Sequence, residues 1–202
     1  MDKRKKLYEI VNKKGQKKEQ TFNRFNDPTH PRYKRYHKRF PLIVENIVGP
    51  KVLDAGCGTG LTCFLASKRD DIKEIHGVDL QKSILKEAKE NVKSDKVKFY
   101  EGFVEDLKFD SEYFNTVVLS ETLEHVSSVT ETLEEAARVL IPKGVVVITC
   151  PYKGQISELH VRSVTKEFLI SRVEKYFNIK KIEIITYPGQ GPKGIFCLGI
   201  KK

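Results

Sequence analysis

The chain nowhere runs apolar for anything close to the ~20 residues that a membrane-crossing helix needs. Its opening residues, Met1-Asp2-Lys3-Arg4-Lys5-Lys6, lack the apolar stretch of an export signal, which predicts a cytoplasmic protein with no membrane partner. Cys57, Cys63, Cys150 and Cys197 form no C-x-x-C pair. That spacing argues against a zinc knuckle and a disulfide framework, and reduced, mostly buried thiols are expected. No internal repeat or low-complexity run appears beyond a lysine-rich start. At 202 residues, the chain suits one compact core.

The body of the chain also lacks excess charge. Residues 1–39 hold 14 Lys/Arg against 4 Asp/Glu, while residues 40–202 hold 23 of each. The whole net charge of +10 therefore sits in the N-terminal segment. There, Phe22, Phe25, Tyr33, Tyr36 and Phe40 alternate with Arg24, Arg32, Lys34, Arg35, Lys38 and Arg39. Basic residues beside stacking rings can grip RNA. The same pattern equally describes a solvated basic helix followed by a lid whose rings pack on the core. Residues 1–40 are read as this basic segment or lid, and 41–202 as the main domain.

What is present is a regular alternation of strand and helix. Strands are expected at 51–54, 73–79, 96–101, 114–120 and 143–150, and helices at 59–69, 81–93 and 128–140. Ile84, Leu85, Ala88 and Val92 share one helical face. Thr116-Val117-Val118-Leu119 is apolar on both faces, as a central parallel strand is. Upstream, a basic helix is expected over 3–20 and another helix over 33–48. Downstream, a helix over 165–177 precedes strands 179–187 and 194–200, which Pro188-Gly189-Gln190-Gly191-Pro192 joins as an antiparallel hairpin. The expected fold is α/β: a Rossmann-like seven-stranded sheet, mostly parallel with a C-terminal antiparallel hairpin, with helices on both faces.

The most informative stretch is Val52-Leu53-Asp54-Ala55-Gly56-Cys57-Gly58-Thr59-Gly60, a buried strand ending in an acid and a glycine turn. A dinucleotide loop, G-x-G-x-x-G, needs its third glycine at position 61, which is Leu. A carboxylate at Asp54 would also repel a pyrophosphate and favour a ligand bearing hydroxyls or positive charge. D-x-G-x-G-x-G closely resembles the first motif of the class I S-adenosylmethionine-dependent methyltransferases of the type 11 kind. The resemblance covers residues 41–202.

The resemblance implies S-adenosyl-L-methionine as cofactor, held by Asp54, Gly56, Cys57, Gly58 and Gly60. Strand ends should carry the remaining contacts. Asp79, with Leu80 beside it, would accept from the ribose hydroxyls. In Gly102-Phe103-Val104-Glu105-Asp106, the Val104–Glu105 backbone would lie beside the adenine and Asp106 would accept from its amino group. Ser120 and Glu121 would lie along the methionine half. Asn115 and Phe103 depart from the family's usual acids.

The acceptor is less defined. Glu121, Glu124 and His125 stand at i, i+3 and i+4 and would share a face if helical. With the distal His160, this E-x-x-E-H pattern resembles metal-assisted methyltransferases of the ubiquinone pathway and of small-RNA 3′ ends. There, Glu121, Glu124, His125 and His160 would hold a divalent cation. The same Leu-Glu-His-Val run fits metal-free members, with Glu121, Glu124 and His125 as catalytic residues and His125 either as general base or only as a satisfied partner of a neighbouring carboxylate. Tyr33, Tyr36 and His37 are lid candidates. Three functions stay open: methyl transfer to an oxygen or nitrogen of a small-molecule acceptor, metal-assisted 2′-O methylation of RNA, and S-adenosylmethionine binding without catalysis.

Overall fold

The computed structural model describes residues 21–152, 162–187 and 191–202. The expected basic helix over 3–20, His160 and the residues Pro188-Gly189-Gln190 fall outside them. The described elements are α1 (Thr21–Asn26), α2 (Tyr33–Glu45), β1 (Lys51–Ala55), α3 (Leu61–Ser67), β2 (Glu74–Asp79), α4 (Lys82–Asn91) and β3 (Val97–Glu101). There follow β4 (Phe114–Ser120), α5 (Val129–Val139), β5 (Leu140–Pro151), α6 (Lys166–Val173), β6 (Phe177–Tyr187) and β7 (Gly191–Lys201).

The strands form one seven-stranded sheet in the order β3-β2-β1-β4-β5-β7-β6. The first five pair in parallel, and β7 runs antiparallel to both β5 and β6. This is the expected fold class. Chain order reverses between β1 and β4: β2 and β3 add to one side of β1, while β4 and β5 build out on the other. Ligands of open parallel sheets bind at such a reversal, beyond the carboxyl ends of the strands. Here those ends are Asp54-Ala55 and Leu119-Ser120.

Strand alternation sends side chains to two cores. Val52, Ile75, Val118, Val147 and Phe196 face α2, α3 and α4, with Phe40, Ile43, Leu61 and Leu85. Leu53, Val117, Leu119, Val146 and Ile148 face α5 and α6, with Leu133, Ala136, Leu169 and Val173. Each such fully buried Val, Leu or Ile contributes roughly 1.5–3 kcal/mol by leaving water. Ser128 caps α5 by accepting from Glu131 N, and Thr165 caps α6 by accepting from Phe168 N.

Two of the boundaries that differ from expectation have a visible cause. α5 stops at Val139 and β5 begins at once at Leu140, because Leu140 pairs with Phe114 at the base of β4. α6 stops at Val173 because Phe177 is drawn fully into the core as the first residue of β6. The expected boundary at residue 40 falls inside α2, whose Tyr36, Phe40 and Ile43 are buried against the sheet.

Candidate functional site: the crevice between β1 and β4

The glycine loop follows β1 in a conformation that side chains resist. Gly56, Gly58 and Gly60 have φ of 86°, 51° and 84°. A Cβ on Gly56 would also stand 2.5 Å from Thr122 Oγ1. That threonine donates to Ala55 O at 3.0 Å, so it cannot simply withdraw. The loop is tied down at both ends: Gly56 N and Cys57 N donate to Val78 O, and Gly60 O accepts from Phe64 N. Gly56 and Gly58 stay partly exposed, whereas Gly60 is buried against Phe99 and Val92, so each glycine is fixed by its backbone conformation or by close packing.

Two acids flank the loop in different states. Asp79, at the end of β2, accepts from Gly58 N at 3.0 Å and from Gln81 N at 2.9 Å. It is half-buried and faces the loop. Asp54 lies underneath, 1% exposed, and accepts from Cys63 Sγ at 3.4 Å. Burial, despite that bond, pushes its carboxyl up to about 7, with the Asp79 charge adding to the rise. The four cysteines are free and buried, as expected.

The segment after β3 divides its two acids. Asp106 is exposed and pairs with Lys108 Nζ at 2.8 Å. Glu105 is buried and its Oε1 accepts from both Ser127 N and Ser127 Oγ at 2.8 Å. Val104 is buried in the core facing α5. Leu80 is half-buried beside Asp79. Ser120 Oγ lies 3.1 Å from Thr149 Oγ1, which ties β4 to β5. Asn115, where the family commonly has an acid, accepts from Lys51 N.

The E-x-x-E-H stretch is a turn rather than a helix, which corrects the helical-face reading. Glu121 takes a left-handed φ of 55°, costing on the order of 1–3 kcal/mol for a non-glycine residue. Thr122, Glu105 and Arg162 hold the turn; Arg162 Nη1 and Nη2 donate to Leu123 O and Ser127 O. Glu121 Oε2 receives Arg35 Nη2 at 2.6 Å and Arg39 Nη1 at 3.0 Å. Glu124 is 1% exposed, and its carboxyl takes no hydrogen bond from another described residue. Burial first, then the charge of Glu121, drives it well above the usual carboxylate range, against the pull of Arg39 and Arg35. His125 is partly exposed, with Nε2 3.7 Å from Glu124 Oε1.

These geometries do not make a metal site. Among the described residues, no three His, Cys, Asp or Glu side chains gather as a ligand set. Glu121 is committed to two arginines, and burial pushes the Glu124 carboxyl well above the usual carboxylate range. The fourth expected ligand, His160, lies outside the described residues.

The lid candidates separate too. Tyr36 is buried in the core, whereas the rings of Tyr33 and Phe25 sandwich His37 at 3.9 and 4.3 Å between centroids.

Residues 53–148 match the family described as a methyltransferase domain. Over that span the chain is similar to a methyltransferase domain. The matched span of this domain takes in the glycine loop, Asp79, the segment after β3 and the turn after β4. The chain is 28% identical over 109 residues to the malonyl-[acyl-carrier protein] O-methyltransferase of Priestia megaterium, covering 54% of this chain and 39% of that protein. It is also 28% identical over 168 residues to a Staphylococcus aureus demethylmenaquinone methyltransferase, covering 78% of this chain and 70% of that one. A Listeria monocytogenes protein described as a putative S-adenosylmethionine-dependent methyltransferase shares the fold. Its TM-score is 0.70 at 18% identity, covering 84% of this chain and 98% of that chain.

Sequence reasoning missed the inward turn of Arg35 and Arg39, which it counted among solvated or RNA-facing charges. One signal was available: i, i+4 spacing on the face that also carries Tyr36, Phe40 and Ile43. Nothing local marked Arg162 or Thr122, whose partners lie 39 and 67 positions away.

Proposed function

We propose that the enzyme transfers a methyl group from S-adenosylmethionine to an oxygen or nitrogen of a small-molecule acceptor held between α2 and the β4–α5 turn. The observation that carries this is the left-handed glycine loop facing Asp79 at the reversal point of the sheet. The residues present fit the cofactor. Gly56 and Gly58 would face its body, with Gly60 shaping the turn, and Asp79 would exchange its bond from Gly58 N for bonds from ribose hydroxyls. Val104 and Asp106 would border the adenine, and Ser120 the methionine half. When bound, the cofactor supplies a methyl group already activated by its sulfonium.

The remaining work is positioning and exclusion of water, which the protein's own residues do. α2 covers the crevice from the N-terminal side, with Arg35 and Arg39 reaching Glu121. His125, partly exposed beside the buried Glu124, is the residue best placed to accept the acceptor's proton. Glu124, buried beside it, would help to orient the imidazole. An acceptor oxygen agrees with the name of the O-methyltransferase relative. An RNA acceptor draws no support from the comparisons, and two of the six arginines and lysines invoked for it point inward.

Titration calorimetry with S-adenosylhomocysteine, the demethylated cofactor, is the direct test. Micromolar binding is expected, and Asp79→Ala should weaken it roughly 10- to 100-fold, the value of hydrogen bonds to a charged group. Affinity unchanged in the variant would remove the ribose assignment.

A further inference from the structure

The two arginines of α2 are more than Glu121 needs. Arg35 Nη2 and Arg39 Nη1 converge on a single carboxylate oxygen, Oε2, at 2.6 and 3.0 Å. Each guanidinium offers five N–H donors in a planar fork that matches a whole carboxylate. One anion therefore faces two cations, and one positive charge is left over. Arg39 is 6% exposed, and its Nε is buried with no hydrogen-bond partner among the described residues. Glu124 does not balance the pair. Neither of its oxygens is hydrogen-bonded to an arginine, and burial, with Glu121 beside it, pushes its carboxyl well above the usual carboxylate range. The walls are aromatic rather than anionic: the Phe40 ring lies 4.8 Å from the Arg39 guanidinium carbon and the Tyr187 ring 5.7 Å from that of Arg35. Buried charge of this kind is costly unless something completes it. Glu121, moreover, reaches the pair only from a left-handed backbone conformation.

We propose that Arg35 and Arg39 form a clamp for the carboxylate of a ligand, with Glu121 standing in while the clamp is empty. The proposal deepens the methyltransferase reading and rests on it for the identity of the neighbouring cleft. Two carboxylates share the required chemistry: that of an acidic acceptor and that of the cofactor's amino-acid end. Both would replace Glu121 with a bidentate partner and engage donors now idle.

The experiment uses the full chain and three probes: malonate, S-adenosylhomocysteine, and 5′-methylthioadenosine, which lacks the amino-acid end. Binding is read by calorimetry and melting temperature. If the clamp serves the acceptor, malonate binds and stabilises the S-adenosylhomocysteine-loaded protein. Arg35→Gln then loses malonate while keeping its affinity for S-adenosylhomocysteine. If the clamp serves the cofactor, Arg35→Gln weakens S-adenosylhomocysteine roughly tenfold or more and leaves 5′-methylthioadenosine unchanged. Malonate then binds only alongside 5′-methylthioadenosine. In both cases Glu121→Gln frees the arginines and tightens malonate binding roughly 3- to 10-fold, a gain that a merely structural ion pair cannot give. The proposal is overturned if malonate binds neither the wild type nor Glu121→Gln in any loaded state and Arg35→Gln affects both nucleosides equally. Should the wild type bind neither nucleoside, it is the methyltransferase reading that fails. Malonate binding to the ligand-free chain, lost in Arg35→Gln, still decides the clamp.

Discussion

The two halves of the crevice are built by opposite means. On the β1–β2 side, the shape is made by backbone: three left-handed glycines, and amides tied to Val78 O and to Asp79. On the β4–α2 side, it is made by side chains that meet from distant parts of the chain. Arg35 and Glu121 are 86 positions apart, and Arg162 and Leu123 are 39 apart. A site made of backbone can serve one ligand shape across many proteins. A site made of side-chain encounters can be rebuilt substitution by substitution. The contrast suits an enzyme whose methyl donor is fixed and whose acceptor is particular to it.

If the contrast is real, the backbone half should tolerate the least. Gly56→Val places methyl groups where Thr122 Oγ1 and Cγ2 already stand 2.5 and 2.8 Å from the Cβ position, in a φ that β-branched residues shun. The expected cost is about 4–5 kcal/mol, near the top of what single substitutions do. At about 2–4 °C per kcal/mol for a chain of this size, the melting temperature should fall by roughly 8–20 °C. A variant melting within a degree or two of wild type would mean the loop is softer than its geometry implies.

The two acids beside the loop sharpen the comparison through pH. Asp54 holds its proton in the folded chain up to about 7 but releases it near 3.8 when unfolded. The folded state therefore binds more protons in that window, and stability from this group is full below 3.8 and lost as pH rises through 7. Asp54→Asn removes that loss. Its melting temperature should climb relative to wild type between pH 4 and 7 and then level off, with a ceiling of roughly 4 kcal/mol. A constant difference across that range would mean that Asp54 is as ionised as an ordinary surface acid.

The same contrast explains what could be read in the sequence. The seven strands and the helices between them were legible because strand and helix periods are local. The glycine spacing was legible because left-handed turns can be written only in glycine. The loop's own acid was legible as a residue but not as a state. Nothing local says that Asp54 lies under the loop against Cys63 while Asp79 faces it. The E-x-x-E-H stretch misled for a related reason. Its i, i+3, i+4 spacing has meaning only on a helix, and the left-handed Glu121 turns the chain away from one. The arginines of α2 were visible as charge, yet their direction depends on a carboxylate that arrives from β4.

On the side-chain half, loss should be milder and confined to the acceptor. Glu105→Gln replaces a charged acceptor of two hydrogen bonds from Ser127 with a neutral amide oxygen. The expected cost is about 1.5–2 kcal/mol, since bonds to a charged group are the stronger kind. The turn bearing Glu124 and His125 should loosen, lowering methyl-transfer rates, while S-adenosylhomocysteine affinity shifts by less than about twofold. An equal loss in both would mean that the two halves of the crevice are one mechanical unit.

The smallest expected effect tests the last cofactor contact without confusion from folding. Asp106 is exposed, and its bond to Lys108 spans only two positions on the surface. Exposed ion pairs of this kind contribute roughly 0–1 kcal/mol, so Asp106→Asn should leave the melting temperature within about 4 °C of wild type. Any change in S-adenosylhomocysteine binding then belongs to the ligand itself. If Asp106 accepts from the adenine amino group, the variant should bind about 3- to 10-fold more weakly, because its amide oxygen is a poorer acceptor than a carboxylate. Inosine-based S-inosylhomocysteine, which carries a carbonyl in place of the amino group, should bind wild type poorly and lose nothing further in Asp106→Asn. If both ligands weaken equally in the variant, the carboxylate acts on the nucleoside only through its charge, and the adenine is held by the backbone around Val104 alone.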